Sequence, residues 1–491
     1  MIVRLYYSLI MPKNQQNQYP NQINDSLNQI GQKKPSFNLR ALINNKRFAV
    51  FGGIVGVVII GLVIILIVNL FSQPAPVVPQ PVTITFWTRS TDTEVIQKII
   101  DGFEKENPLI KVKHEVQSET DYKNRTLTRL RLQSTNIGNI VEVDENWIDR
   151  INVSLSPISD STILGRYSVA SVRNNSINGA TFAVPYQFDG LVFAYNQDHL
   201  AEINFTEEDF NKLDWTSLSN RASTLTKTKN ISLPELPNRP FAQIIRSGTA
   251  IGSPITVSNS AQILQLLLIQ NDAKIYDSET RKFILNDKFV EVMNFYTNFV
   301  TRNIWSNDLG NDIKAFSEGK VSIILVRSGD IDQIKKLNPN LRFGTAIPAK
   351  IGGIRNISLS KSLVLPNYMP NYSQSIKFIE YLTRTENSLM LFNSKKTVNT
   401  FVPAQITSLN QIPKTSPFAV FSDINTTADR FLSIEYDGTT EVINNYLIRI
   451  FELYGNKSGY PDRPPIQIST NSLQTELDTF SNSIKSSENR F

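Results

Sequence analysis

Aromatic and polar side chains gather beside the short apolar runs of this chain. Trp87 and Arg89 follow VTITF at 82–86, and Asp144, Asn146 and Trp147 follow IVEV at 140–143. Gln187 and Asp189 precede GLVFAY at 190–195, and Arg327, Ser328 and Asp330 follow VSIILV at 321–326. Carboxylates, amides and guanidinium groups satisfy hydroxyls that are costly to bury unpaired, and an aromatic ring covers the C–H face of a sugar. A cleft carrying this set suits an uncharged polar small molecule. Taken singly, each tryptophan reads equally well as core packing and each Asp or Arg as a solvated loop residue. Their shared position beside strand-like runs makes them candidate ligand-binding residues.

Other chemistries lack their parts. The chain has two histidines and no cysteine, too few for a zinc site or a Ser-His-Asp arrangement. His114 alternates with Lys111 and Lys113, as on an exposed strand face, and His199 follows YNQD at a helix or turn tip. No GxSxG elbow, GxxxxGK[ST] loop or GxGxxG after a strand is found. A pair of carboxylates working as acid and base stays open without a local signature. The expectation is a binding protein with no catalytic residue, metal or cofactor.

The elements that must hold these side chains alternate in type. A strand at 82–86 precedes a helix at 94–106 with Val95, Ile99 and Phe103 at helical spacing. A strand at 110–117, a helix at 121–133 and a strand at 140–143 follow. This order predicts an α/β fold with a mostly parallel sheet, which binds ligands beyond the carboxyl ends of its strands. Further strands at 190–195 and 321–326 and helices at 261–271, 289–299 and 373–384 continue the alternation, and 471–491 reads as a polar closing helix. The folded part from 82 onward exceeds what one core organises, so two lobes are expected.

Residues 48–71 contain no charge over 24 positions, about 36 Å of helix, enough to cross a bilayer core. The span is longer and deeper than the apolar part of a cleaved signal. Gly52 and Gly56 read as ordinary membrane-helix composition rather than a dimer face. Seven basic residues against Asp25 alone precede it and account for the chain's net +6. Lys46 and Arg47 abut the span, so the N-terminus is expected in the cytoplasm and the large domain outside, in a single-pass arrangement in the cell membrane. The balanced remainder argues against nucleic-acid binding. Residues 1–47 read as a disordered basic tail, with Met11 an alternative start, and the proline-rich 72–81 as a stalk.

Residues 84–115 (ITFWTRSTDTEVIQKIIDGFEKENPLIKVKHE) resemble the opening of extracellular solute-binding proteins of the maltose-binding-protein type, the sugar-binding components of ABC importers. The likeness continues through NIVEVDENWI, FAVPYQFDGLVFAYNQDHL, DWTSLSNRASTLT, AFSEGKVSIILVRSGDI, NPNLRFGTAIPA, SIKFIEYLTRTEN and FVPAQ, in order. It implies a two-lobed periplasmic-binding-protein fold with a hinge, here preceded by one N-terminal transmembrane helix. One lobe would take about 82–187 and 350–400, the other about 191–342 and 402–491, with crossings near 187–190, 343–349 and Phe401. The resemblance implies a mono- or oligosaccharide ligand, ABC permease subunits as partners and closure by hinge motion. It places Trp87, Arg89, Asp144, Asn146 and Trp147 on one wall, Asp189 beside the hinge, and Ser328 and Asp330 on the other wall. VRSGD lacks the tryptophan common after such a turn, and NIGNI carries Asn139 where relatives have aspartate. A membrane-anchored sensor or adhesion subunit and a two-carboxylate glycan-processing enzyme are the alternatives.

Overall fold

The computed structural model describes residues 56–66, 80–90, 92–233, 236–273, 276–277, 282–283, 287–351, 356–394 and 401–430. The chain divides into two units, Met1–Pro79 and Gln80–Phe491. In the first, 56–66 is helical, with Val57, Ile60 and Leu66 exposed. Among the described residues no helix is long and apolar enough to cross a membrane. Both ends of the expected span 48–71, the tail 1–47, most of the stalk and the expected closing helix lie outside the described residues.

The second unit is built on two sheets. The first opens with β1 (Val82–Thr88), α1 (Thr93–Glu106), β2 (Ile110–Val116), α2 (Tyr122–Arg131) and β3 (Ile140–Asp144). In α1 the buried residues are Ile96, Ile99, Ile100 and Phe103, spaced to put one apolar stripe on the sheet. Removing those four from water is worth about 6–12 kcal/mol before chain entropy is charged. Phe103 meets the ring of Phe378 edge-on at 5.1 Å. β1 pairs in parallel with β2 and β3, as the β-α-β-α-β order predicts.

After β4 (Ala183–Phe188) the chain crosses to the second sheet through Asp189, Gly190 and Leu191. That sheet contains β5 (Val192–Asn196), β6 (Lys227–Leu233), β7 (Leu236–Thr249), β8 (Val321–Val326) and β9 (Phe343–Ala346), in the order β9-β5-β8-β7-β6. β8 is buried along its whole length and leads into α3 (Ser328–Leu337). The chain then returns, and β10 (Lys361–Val364) and β11 (Val402–Pro403) complete the first sheet, in the order β11-β4-β10-β3-β1-β2.

The sheets are more mixed than the sequence predicts. β10 runs antiparallel to β3 and β4, and β5 antiparallel to β8 and β9. Strands reached by crossing from the other sheet enter from the opposite end, so a βαβ count cannot give their direction. Val402–Pro403, expected to open the second lobe, is hydrogen-bonded to β4 in the first sheet. At the crossing, Leu359 N–H donates to the carbonyl of Asp189 at 3.0 Å. A Cβ on Gly190 would lie 2.9 Å from the Ile357 carbonyl and 2.9 Å from Ile424 Cδ1. The two crossing segments therefore touch where only glycine fits.

Candidate functional site

Arg89 leaves the end of β1 and turns into the protein, its side chain 6% exposed. Its Nε donates to Glu142 Oε1 at 3.0 Å and one terminal nitrogen to Asp144 Oδ2 at 3.3 Å, while the other holds Asp144 Oδ1. The guanidinium lies 5.1 Å from the ring centre of Tyr122 and 5.4 Å from that of Trp147, within cation–π range. Burial opposes its charge, but Asp144, Glu142 and Glu119 outweigh burial and raise its pKa. Across β3, Lys361 Nζ reaches Glu142 Oε1 at 3.5 Å and sits 4.5 Å from the ring centre of Phe401.

The second sheet contributes Arg327, at the end of β8. Its Nε and a terminal nitrogen each lie 2.9 Å from Asp189 Oδ2. Asp189, above all, raises the Arg327 pKa against the cost of burial, with a further contribution from Asp144 of the first sheet. Arg327 lies 5.9 Å from the Phe401 ring centre, so groups from both sheets converge on one aromatic ring. Asp330 accepts from the Arg327 N–H at 2.9 Å and from Asn259 Nδ2 at 2.8 Å, closing the first turn of α3 as an N-terminal acidic residue does. Burial raises the Asp330 pKa.

The structure brings together Arg89, Asp144, Asp189 and Arg327, with Gln187 beside them: Gln187 pairs with Lys361 and shares a cavity wall with Phe401. Ser328 is buried, and its N–H donates to Asp189 Oδ1 at 3.0 Å. Asn146 is half-buried in the turn after β3. The tryptophans expected on that wall are buried. Trp87 and Trp147 are each 3% exposed, in a core with Leu127, Leu130 and Val141. Trp87 Nε1 donates to Glu115 Oε2 at 2.8 Å, so the indole is satisfied within the protein. Alternation explains it: Trp87 pairs with Val141, on the face opposite Phe86 and Thr88. His114 is half-buried, with Nε2 2.8 Å from Thr88 Oγ1 and its ring 5.5 Å from Phe86.

Three residues of this cluster were not among the candidates read from the sequence: Glu142, Lys361 and Phe401. Only Glu142 had a local signal, a carboxylate in the middle of the apolar strand IVEVD, a position that requires a buried partner.

The sequence profile described as "bacterial extracellular solute-binding protein" matches residues 98–405. No curated protein sequence matches the chain. Among solved structures, the sugar-binding protein MalE of Xanthomonas citri is similar at 16% identity and a TM-score of 0.65, covering 84% of this chain and 100% of its own. UspC of M. tuberculosis is similar at 14% identity and a TM-score of 0.63, covering 81% and 100%. The maltose-bound MalE3 of T. maritima is similar at 14% identity and a TM-score of 0.55, covering 82% and 99%. At these identities the likeness establishes the fold, two α/β lobes around a cleft.

Proposed function

Because this chain belongs to the bacterial extracellular solute-binding protein family, we propose that it captures a carbohydrate between its two sheets and delivers it to an ABC importer. The observation carrying this reading is the convergence of Lys361 from one sheet and Arg327 from the other on the ring of Phe401, with Arg89 joined to Lys361 through Glu142 and to Asp144 directly. Asp144 and Arg327 are about one-third exposed, at 36% and 34%, so an acceptor and a donor face solvent on opposite sides. Hydroxyls use both kinds of group, and a half-buried aromatic ring covers a sugar's C–H face. The sugar-binding proteins of similar fold support the same ligand class. Membership in a binding family, not an enzyme family, agrees with a site whose charged groups are already paired.

Residues 48–71 serve, in this proposal, as a membrane tether, with the tail 1–47 inside and the stalk 72–81 holding the binding unit near its permease. Calorimetric titration of the full chain in nanodiscs against a panel of oligosaccharides tests the ligand. Binding to peptides or polyamines with none to any saccharide removes the carbohydrate assignment. Deleting residues 1–81 is expected to abolish membrane retention and leave ligand affinity unchanged; retention after deletion removes the tether.

A further inference from the structure

Asn259 stands at the N-cap of the helix Ser260–Gln270, its carbonyl accepting the Ile263 N–H at 2.9 Å. An asparagine there ordinarily turns its side-chain oxygen onto the first free N–H groups of its own helix. This one makes no such bond. Its side chain, on a residue 5% exposed, turns to the end of β8, where Nδ2 lies 3.2 Å from the Leu325 carbonyl and 2.8 Å from Asp330 Oδ2. Both partners are acceptors, so the amide NH2 is the group that fits between them, one hydrogen to each. The neighbouring Ser258 is anchored on Asp312 Oδ1, through N–H at 3.0 Å and Oγ at 2.7 Å. Asn259 thereby ties the last residues of β8 to the first turn of α3 from a point that is itself held.

Arg327 sits inside that tie. Its N–H donates at 2.9 Å to the same Asp330 Oδ2 that Asn259 holds. Asp189 takes the far end of the side chain, while Asp330 and Asn259 fix its root. Burial and the Asp189 charge both work against the Asp330 carboxylate, and hydrogen bonds from the Arg327 N–H and the Asn259 amide favour it. We propose that Asn259 is a positioning residue of the ligand site: by holding Leu325 and Asp330 it fixes the backbone from which the Arg327 side chain, 34% exposed, meets the ligand. The proposal deepens the carbohydrate reading and rests on it. A guanidinium on an ordered base gives up less freedom on binding a hydroxyl than one on a loose turn. Truncating Asn259 leaves Asp330 and the Leu325 carbonyl each one donor short, so the turn that carries Arg327 loosens.

The best-binding saccharide of an oligosaccharide panel is titrated into the full chain, Asn259→Ala, Arg327→Ala and the double variant, each below its own denaturation midpoint. Asn259→Ala is expected to weaken binding about threefold to tenfold, and Arg327→Ala about tenfold. In the Arg327→Ala background, Asn259→Ala should change affinity less than about twofold, because the group it positions is gone. The same loss in both backgrounds marks a general structural brace and overturns the proposal. So does wild-type affinity in folded Asn259→Ala or in Arg327→Ala; both results leave the carbohydrate reading standing. Where Asn259→Ala fails to fold, Asp330→Asn takes its place in the same cycle with the same expectation. It keeps the shape and an oxygen for the Arg327 N–H but sets one amide NH2 against another. Binding of no saccharide by wild type overturns the carbohydrate reading, and this proposal with it.

Discussion

Asp189, in the crossing between the sheets, accepts from Arg327 Nε at 2.9 Å while its other oxygen takes the Ser328 N–H at 3.0 Å. The neighbouring Gly190 N–H donates to that same Oδ1 at 2.9 Å. One carboxylate therefore ties the hinge segment to the point where β8 becomes α3. A residue that the sequence offers as a ligand contact is committed, in this structure, to joining the crossing to the second sheet.

Asp189→Ala is expected to destabilise the folded unit by about 2 kcal/mol, because it strands the Ser328 and Gly190 donors. The figure is kept low because Arg327 is one-third exposed and can recover solvation. The denaturation midpoint in urea measures it, and an unchanged midpoint shows that the clasp holds nothing.

Iodide should quench tryptophan fluorescence weakly with or without ligand. The sequence has four tryptophans, and Trp87, Trp147, Trp215 and Trp305 are all 3% exposed or less. Strong quenching that disappears when a sugar is added would place a tryptophan in the cleft.

Phe401→Ala is expected to weaken the best-binding saccharide about fivefold to tenfold, the size of one aromatic packing contribution. The ring is the aromatic surface reached by cations from both sheets. Unchanged affinity by calorimetry would remove Phe401 from the site.

Asp312 gives a pH-dependent prediction. Burial pushes its carboxyl up to about 6 from a reference of 3.8, although Ser258 donates to it from N–H at 3.0 Å and from Oγ at 2.7 Å. Between those two values the folded chain keeps a proton that the unfolded chain has released. The Asp312 contribution to stability therefore falls as pH rises through this window and is flat above it. His199, which burial holds down at about 4 against 6.5, contributes the opposite slope over an overlapping range. The clean readout is Asp312→Asn minus wild type. That difference should move in favour of the variant by on the order of 2 kcal/mol between pH 4 and pH 7. A difference independent of pH contradicts it.

Much of the fold was legible because its elements carry strong local patterns. The expected helix at 94–106 is Thr93–Glu106, the strand at 140–143 is Ile140–Asp144, and 321–326 is a strand at those limits. The β6–β7 hairpin from Lys227 to Thr249 was not foreseen. Its strand pattern is broken by Pro234, Pro237 and Pro240, which argue against a long strand. Of the candidate site, Arg89, Asp144 and Arg327 were found by their position after strands, whereas Lys361 and Phe401 enter only when distant segments fold back against β3 and β4.

By itself the sequence determined the alternating elements, the balance of charge outside the N-terminal tail and the family to which the chain belongs. These are properties of short windows or of residue order, and they survive without knowledge of what touches what. Tertiary structure decided which polar residues face the cleft and which are spent on holding it together. Trp87 turned to the core because pleating sends adjacent side chains to opposite faces. Asp189 became a clasp because two crossing segments meet at Gly190. Glu142 became a shared ion-pair partner because Arg89 and Lys361, 272 positions apart in the chain, reach the same oxygen from the two sides of β3.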